Sequence, residues 1–291
     1  MASSFLIKHP RLNPLKFSFS GTYRTITSSL RTFPDFIVVG FPKCGTKSLF
    51  SYVIQHPNIG IAARRGKYFF DVNYWRGIGW YKAHFPTVGE KNNLKKQNAG
   101  YCIGEYTARY MMYYPAAKRI KELIPDVKPI ALLRNPTDGV YSQYHFKKSW
   151  GFEKMTFDEA VADNEKRLEN WNYMVKNDLL RRENHAAVNT PYMSVRKYAK
   201  HLKEWFKYFP QENFLLLQTE KMSNESEIQD TVNKVFNFLG LSEHNIKDFT
   251  RKNVNKYKKM SSKTRDILIE YFKPYNAELE KMLNRKFNWD V

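Results

Sequence analysis

The stretch that most constrains the fold runs from residue 35 to residue 48, Asp-Phe-Ile-Val-Val-Gly-Phe-Pro-Lys-Cys-Gly-Thr-Lys-Ser. Phe36 to Val39 is a continuous, partly β-branched apolar run that reads as a strand buried on both faces, and Gly40 and Pro42 stop it sharply. Gly45, Thr46, Lys47 and Ser48 then open a segment in which Leu49, Phe50, Tyr52 and Val53 fall on helical spacing. Backbone N–H groups and a helix N-terminus therefore converge where the strand ends, which makes an anion site with Lys43 and Lys47 on either side of its glycine.

The rest of the chain alternates strands with helices. The first helix should end near His56-Pro57, because proline biases the residue before it away from helix. Residues 59 to 72 are expected to cross back over the sheet, and 86 to 98 reads as a polar, mobile linker. Tyr101–Glu105 reads as a second strand, Pro115–Leu123 as a helix and Lys128–Leu133 as a third strand ending in Arg134-Asn135-Pro136. In the second half, Thr156 and Glu159 form a capping-box pattern before a helix reaching about residue 170, and 171 to 194 reads as a surface excursion. Val195, Tyr198, Ala199, Leu202, Trp205, Phe206 and Phe209 mark an amphipathic helix, Phe214–Leu217 a further strand, and Ile228–Leu239 and Ser262–Leu283 the last two helices. This order predicts an α/β fold, a P-loop-containing parallel β-sheet with helices on both faces. Residues 1–34 carry no acidic residue and form a basic arm or a targeting segment, leaving 35–291 as one domain.

Composition narrows the partners. A formal net charge of +20 implies an anionic partner, whether nucleic acid, acidic glycan, membrane surface or multiply phosphorylated nucleotide, unless the basic residues only solvate the surface. Two cysteines, Cys44 and Cys102, give no disulfide framework and suit a reducing compartment, so a cytoplasmic location is expected, or an organelle if 1–34 is a transit segment. No apolar run approaches the roughly 18 residues that a membrane span needs. No Cys/His or carboxylate cluster calls for a metal.

The loop misses Walker A by one position: Gly40 and Gly45 are followed by Thr46 before Lys47 and Ser48, which displaces the lysine that an NTPase needs. Pro42, Lys43, Cys44, Gly45, Thr46, Lys47, Ser48 and Leu49 instead resemble in full the 5′-phosphosulfate loop of sulfotransferases that use 3′-phosphoadenosine 5′-phosphosulfate (PAPS). Arg134, Pro136 and Ser142, at the end of an apolar strand, resemble the 3′-phosphate motif of the same family. Many members carry a further arginine where this chain has Gly139. The tail, from Lys256, Tyr257 and Met260 through Thr264-Arg265, Tyr271-Phe272, Pro274-Tyr275-Asn276 and Leu279 to Trp289, is similar to that of the heparan-sulfate-type and bacterial branches. There a basic loop closes over the nucleotide; its usual Lys-Gly-Arg is replaced by Asn253-Val254-Asn255, between Lys252 and Lys256.

The resemblance, covering about residues 35 to 290, implies sulfuryl transfer from PAPS to an acceptor hydroxyl or amine, with a carbohydrate or other hydroxylated molecule favoured over nucleic acid and no metal required. It implies that Lys43 supplies positive charge at the reacting centre and that Cys44, Gly45, Thr46, Lys47 and Ser48 hold the 5′-phosphate. Arg134 and Ser142 are to hold the 3′-phosphate, and Lys256 and Tyr257 to close the site. The expected base is missing, because these branches place a glutamate five residues before the Asp of Phe69-Phe70-Asp71, where this chain has Gly66. Glu105, His84 and His145 are the substitutes. Two rivals remain: a P-loop kinase, which predicts a strand ending in Asp where this one runs into Arg134, and a basic nucleotide- or polyanion-binding protein of the same fold with lost catalysis.

Overall fold

The structure is a computed structural model that describes residues 21–62, 66–181, 191–252 and 257–289. Five strands, β1 (Phe36–Gly40), β2 (Ile59–Ile61), β3 (Cys102–Tyr106), β4 (Lys128–Leu133) and β5 (Leu215–Gln218), form one sheet in the order β2-β3-β1-β4-β5. Every pairing is parallel. The central strand is buried at all five positions, as its unbroken apolar run requires. Its neighbours are β3 and β4, so the chain crosses β1 between them and opens a crevice at the carboxyl ends of β1 and β4, where open α/β sheets take ligands.

Helices α1 (Thr46–Val53), α2 (Gly77–Lys82), α3 (Val88–Gln97) and α4 (Pro115–Leu123) accompany the first half. The second half carries α5 (Pro136–Ser149), α6 (Phe157–Ala162), α7 (Asn164–Lys176), α8 (Tyr198–Phe206), α9 (Glu225–Leu239) and α10 (Ser262–Leu283). They flank the sheet: α9 packs on α1, and α8 packs on α4 and α10. The predicted α/β fold with a phosphate loop after the first strand is the observed one. None of the helices among the described residues is long and apolar enough to cross a membrane.

Three segments differ from the expectation. Ile59–Ile61 pairs with β3 as an edge strand, too short for a hydrophobic period to register. Residues 88–97 form a helix, with no buried residue to mark a face; Thr87 and Glu90 close a capping box at its start, and Lys91 Nζ meets Asp35 Oδ1 at 2.6 Å. The helical run begun at Thr156 continues past residue 170, since α7 reaches Lys176 after a break at Asp163. Near the start, Arg31 is buried and its Nη1 donates to the Phe85 carbonyl at 2.9 Å, so residues just before β1 pack on the segment after α2.

Candidate active site

The loop leaving β1 turns through two left-handed residues, Lys43 at φ 65° and Gly45 at φ 81°. Glycine takes that conformation freely, whereas a lysine there is uncommon and must be held by its surroundings. The holding is visible. Arg196 Nη2 donates to the Pro42 carbonyl at 2.6 Å, Arg134 Nη1 to the Lys43 carbonyl at 2.9 Å, and Thr219 Oγ1 to the Cys44 carbonyl at 2.8 Å. Three consecutive carbonyls are thus each engaged by a different element, and helix geometry leaves the first-turn N–H groups of α1 without intrahelical acceptors. What remains turned outward is a set of donors, and that set suits an anion.

Arg134 follows β4 directly, and Asn135 caps α5 by accepting from the Thr137 N–H at 3.0 Å. Glu220, just past β5, fixes this corner: its Oε1 accepts from the Asn135 N–H at 2.8 Å and its Oε2 from Trp289 Nε1 at 3.1 Å. The Tyr198 hydroxyl donates to the Arg134 carbonyl at 2.8 Å. Ser142 is buried along α5, on the same cleft.

That cleft encloses about 390 Å³. Of the residues proposed from the sequence, Lys43, Gly45, Thr46, Lys47, Ser48, Arg134, Ser142 and Tyr257 line it together, from both halves of the chain. Cys44 does not present its side chain there. It is fully buried, and its sulfur accepts from Arg196 Nη1 at 3.0 Å. Lys256 lies outside the described residues, but Tyr257 stacks on His145 with ring centres 4.4 Å apart and planes within 4°. Burial, then the neighbouring Arg134 and Arg196 charges, lower the Lys43 ammonium to about 8. Its Nζ lies 4.8 Å from the centre of the Phe146 ring.

None of Glu105, His84 and His145 lines this cleft, although His145 stacks on Tyr257, which does, and Glu105 lies three residues before the cleft-lining Ala108. Glu105 is enclosed at the end of β3, and burial pushes its carboxyl up, opposed by the Lys67 charge. His84 Nδ1 lies 2.8 Å from the Trp80 carbonyl at the end of α2. His145 packs among Tyr141, Tyr144 and Tyr257, and burial lowers its pKa, with Lys148 adding to the effect. Gly66 has φ 60°, a backbone in which a glutamate would be strained.

Sequence reasoning missed several cleft residues. Thr219, Glu220, Met222 and Ser223 come from the segment after β5, which carries no motif. Arg251 and Lys252 also line the cleft, and the Lys252 N–H donates to Ser48 Oγ at 2.9 Å, bringing the segment before residue 253 against α1. The basic pair before Asn253 was the available signal. Arg196 had none, because its role depends on contacts with residues more than 50 positions away.

Comparison with known proteins agrees with this geometry. The family model for the sulfotransferase domain matches residues 33–281. A membrane-associated sulfotransferase, kil1, of Dictyostelium discoideum is 25% identical over 330 residues, covering 91% of this chain and 68% of that protein. Human heparan sulfate glucosamine 3-O-sulfotransferase 6 is 29% identical over 218 residues, 72% of this chain and 53% of the relative. Human bifunctional heparan sulfate N-deacetylase/N-sulfotransferase 3 is 26% identical over 90% of this chain, which spans only 32% of that relative's length. A sulfotransferase from Alicyclobacillus acidocaldarius superposes with a TM-score of 0.67 at 25% identity, over 89% of this chain and all of that one. With the family model matching nearly the whole described domain and the phosphate loop built as its pattern requires, the chain belongs to the family of PAPS-dependent sulfotransferases.

Proposed function

We propose that this protein transfers the sulfuryl group of PAPS to a hydroxyl or amine of an acceptor, with a carbohydrate as the favoured class. One observation carries the donor assignment: the cleft joins the outward-facing donors of the 43–48 loop to Arg134 and Ser142, so a single ligand with anionic groups at two ends meets both. Thr46 Oγ1 adds to it, since it is buried at the cleft with no hydrogen-bond partner among the described residues. A buried hydroxyl without a partner is costly, and a phosphate oxygen is the partner that this site lacks.

When bound, PAPS supplies a sulfuryl group that passes to the acceptor oxygen or nitrogen, with loss of the acceptor's proton and release of the desulfated nucleotide PAP. The chain's own contribution is positioning and charge, as in phosphoryl transfer. Lys43 would set positive charge beside the reacting centre, the 45–48 N–H groups and Lys47 would hold the 5′-phosphate, and Arg134 with Ser142 would hold the 3′-phosphate. Arg251 and Lys252 add charge to the cleft lining. The relatives whose printed names include heparan sulfate support the carbohydrate class.

Calorimetric titration with PAP and ATP, followed by sulfate transfer from radiolabelled PAPS to desulfated heparan chains, tests this reading. PAP binding at least about tenfold tighter than ATP with label incorporated into glycan is the expected result. A PAP preference without incorporation would reject the carbohydrate acceptor, and the absence of a PAP preference would reject the donor as well.

A further inference from the structure

Behind the phosphate loop lies a buried cation. Arg196 is 1% exposed, and no carboxylate contacts its guanidinium among the described residues; its acceptors are backbone carbonyls, an amide oxygen, a hydroxyl and a sulfur. Nη2 donates to the Pro42 carbonyl at 2.6 Å, to the Gln143 Oε1 at 2.8 Å and to the Gly139 carbonyl at 3.2 Å. Nη1 donates to the Cys44 sulfur at 3.0 Å and to the Tyr198 hydroxyl at 3.5 Å. One planar group therefore spans the loop after β1 and the first turns of α5, the two segments that carry Lys43 and Ser142. Burying a guanidinium without a counter-charge is unfavourable, so its placement there calls for a compensating role.

Gly139 makes room for it. The residue lies inside α5 and is not among the glycines with positive φ, so the backbone does not need glycine there. Glycine in a helix interior is in fact less favourable than alanine. A Cβ at this position would stand 3.0 Å from both Cζ and Nε of Arg196, closer than packed atoms sit. The side chain missing at 139 is replaced by a guanidinium arriving from residue 196.

We infer that Arg196 is a positioning residue that locks the loop after β1 to α5, with Gly139 as its socket, and thereby selects a nucleotide phosphorylated at both its 5′ and 3′ ends over one phosphorylated only at the 5′ end. The inference rests on the nucleotide reading above. A lysine cannot substitute, because a point charge does not reproduce the planar fork that serves three oxygen acceptors in two segments.

The test is titration of the full chain with PAP and with AMP, together with thermal melting, for wild type, Arg196→Met, Arg196→Lys, Gly139→Ala and the Gly139→Ala/Arg196→Met double variant. Arg196→Met should weaken PAP by about tenfold or more and AMP by less than about threefold. Arg196→Lys should bind AMP as wild type does without recovering the PAP preference. Gly139→Ala should lower both melting temperature and PAP affinity with Arg196 present, and should leave or raise the melting temperature once Arg196 is methionine. That reversal of sign measures the contact directly. Equal losses for PAP and AMP, or the same effect of Gly139→Ala in both backgrounds, would overturn the inference. If Arg196→Met does not fold, Arg196→Lys and Gly139→Ala still decide it by the ratio of PAP to AMP affinity. A wild type without PAP preference would reject the nucleotide reading and with it the selection, leaving the reversal in melting to judge the lock alone.

Discussion

The carboxyl ends of β1 and β4 and the carboxyl end of β3 are finished in opposite ways. At β1 and β4, the Pro42, Lys43 and Cys44 carbonyls each have a donor and both Glu220 oxygens are used, so the loop is held before any ligand arrives. At β3, the fully buried carboxyls of Glu105 and Asp71 have no hydrogen-bond partner on any oxygen among the described residues. Arg109 Nε is 3.5 Å from Asp71 Oδ2. Burial pushes both carboxyls up, against the Lys67 charge at Glu105 and the Arg109 charge at Asp71. One end is preorganised to receive charge, which favours rapid electrostatic stabilisation. The other encloses two carboxyls whose charged forms burial disfavours and the neighbouring Lys67 and Arg109 charges favour.

Substitutions can break this contrast. The largest effect is expected from Lys43→Ala, which should lower sulfate transfer by about 100- to 1,000-fold with an unchanged melting temperature, measured with radiolabelled PAPS. Wild-type rates would remove Lys43 from the reacting centre. Arg134→Ala should weaken PAP by about ten- to 100-fold in a titration, because it removes a charged donor and also frees the Lys43 carbonyl. An effect confined to turnover at saturating nucleotide would reassign Arg134 to the chemical step.

The pH dependence comes next. With its pKa lowered to about 8, Lys43 is charged below that pH and neutral above it. PAP affinity should therefore hold from pH 6.5 to 7.5 and fall by up to about tenfold per unit beyond pH 8, and titrations near pH 8 should show proton uptake in buffers of different ionisation enthalpy. A flat profile to pH 9.5 would separate Lys43 from the anion site. The smallest effect is expected at β3: Glu105→Gln imitates the neutral carboxyl that burial favours, so transfer should stay within about fivefold and the melting temperature should hold or rise. A loss of 100-fold or more in turnover would instead assign Glu105 as the base.

Much of this molecule was legible from local order. Pro115–Leu123, Lys128–Leu133 and Ser262–Leu283 form the elements read at those bounds, and α9 ends at Gly240 in the left-handed conformation that glycine adopts freely. Thr156 and Glu159 close the capping box their spacing implies. The Thr87 and Glu90 pair obeys the same rule, yet the helix it starts was read as a linker because no apolar face followed it. Caps carried information where periodicity carried none.

What residues 35–48 determined by themselves is an anion site at the end of a buried strand, since strand, turn and helix start are all set by near neighbours. What tertiary structure alone decided is how that site is held and what shares it. Arg196 reaches the Pro42 carbonyl across 154 positions, Thr219 reaches the Cys44 carbonyl across 175, and the Lys252 N–H reaches Ser48 across 204. It also enclosed Glu105, which is buried near the end of β3. Hydrogen bonds between near neighbours leave a pattern in the sequence, whereas a donor meeting a carbonyl from another element depends on how the sheet stacks its strands, and that order is written only in the packed core.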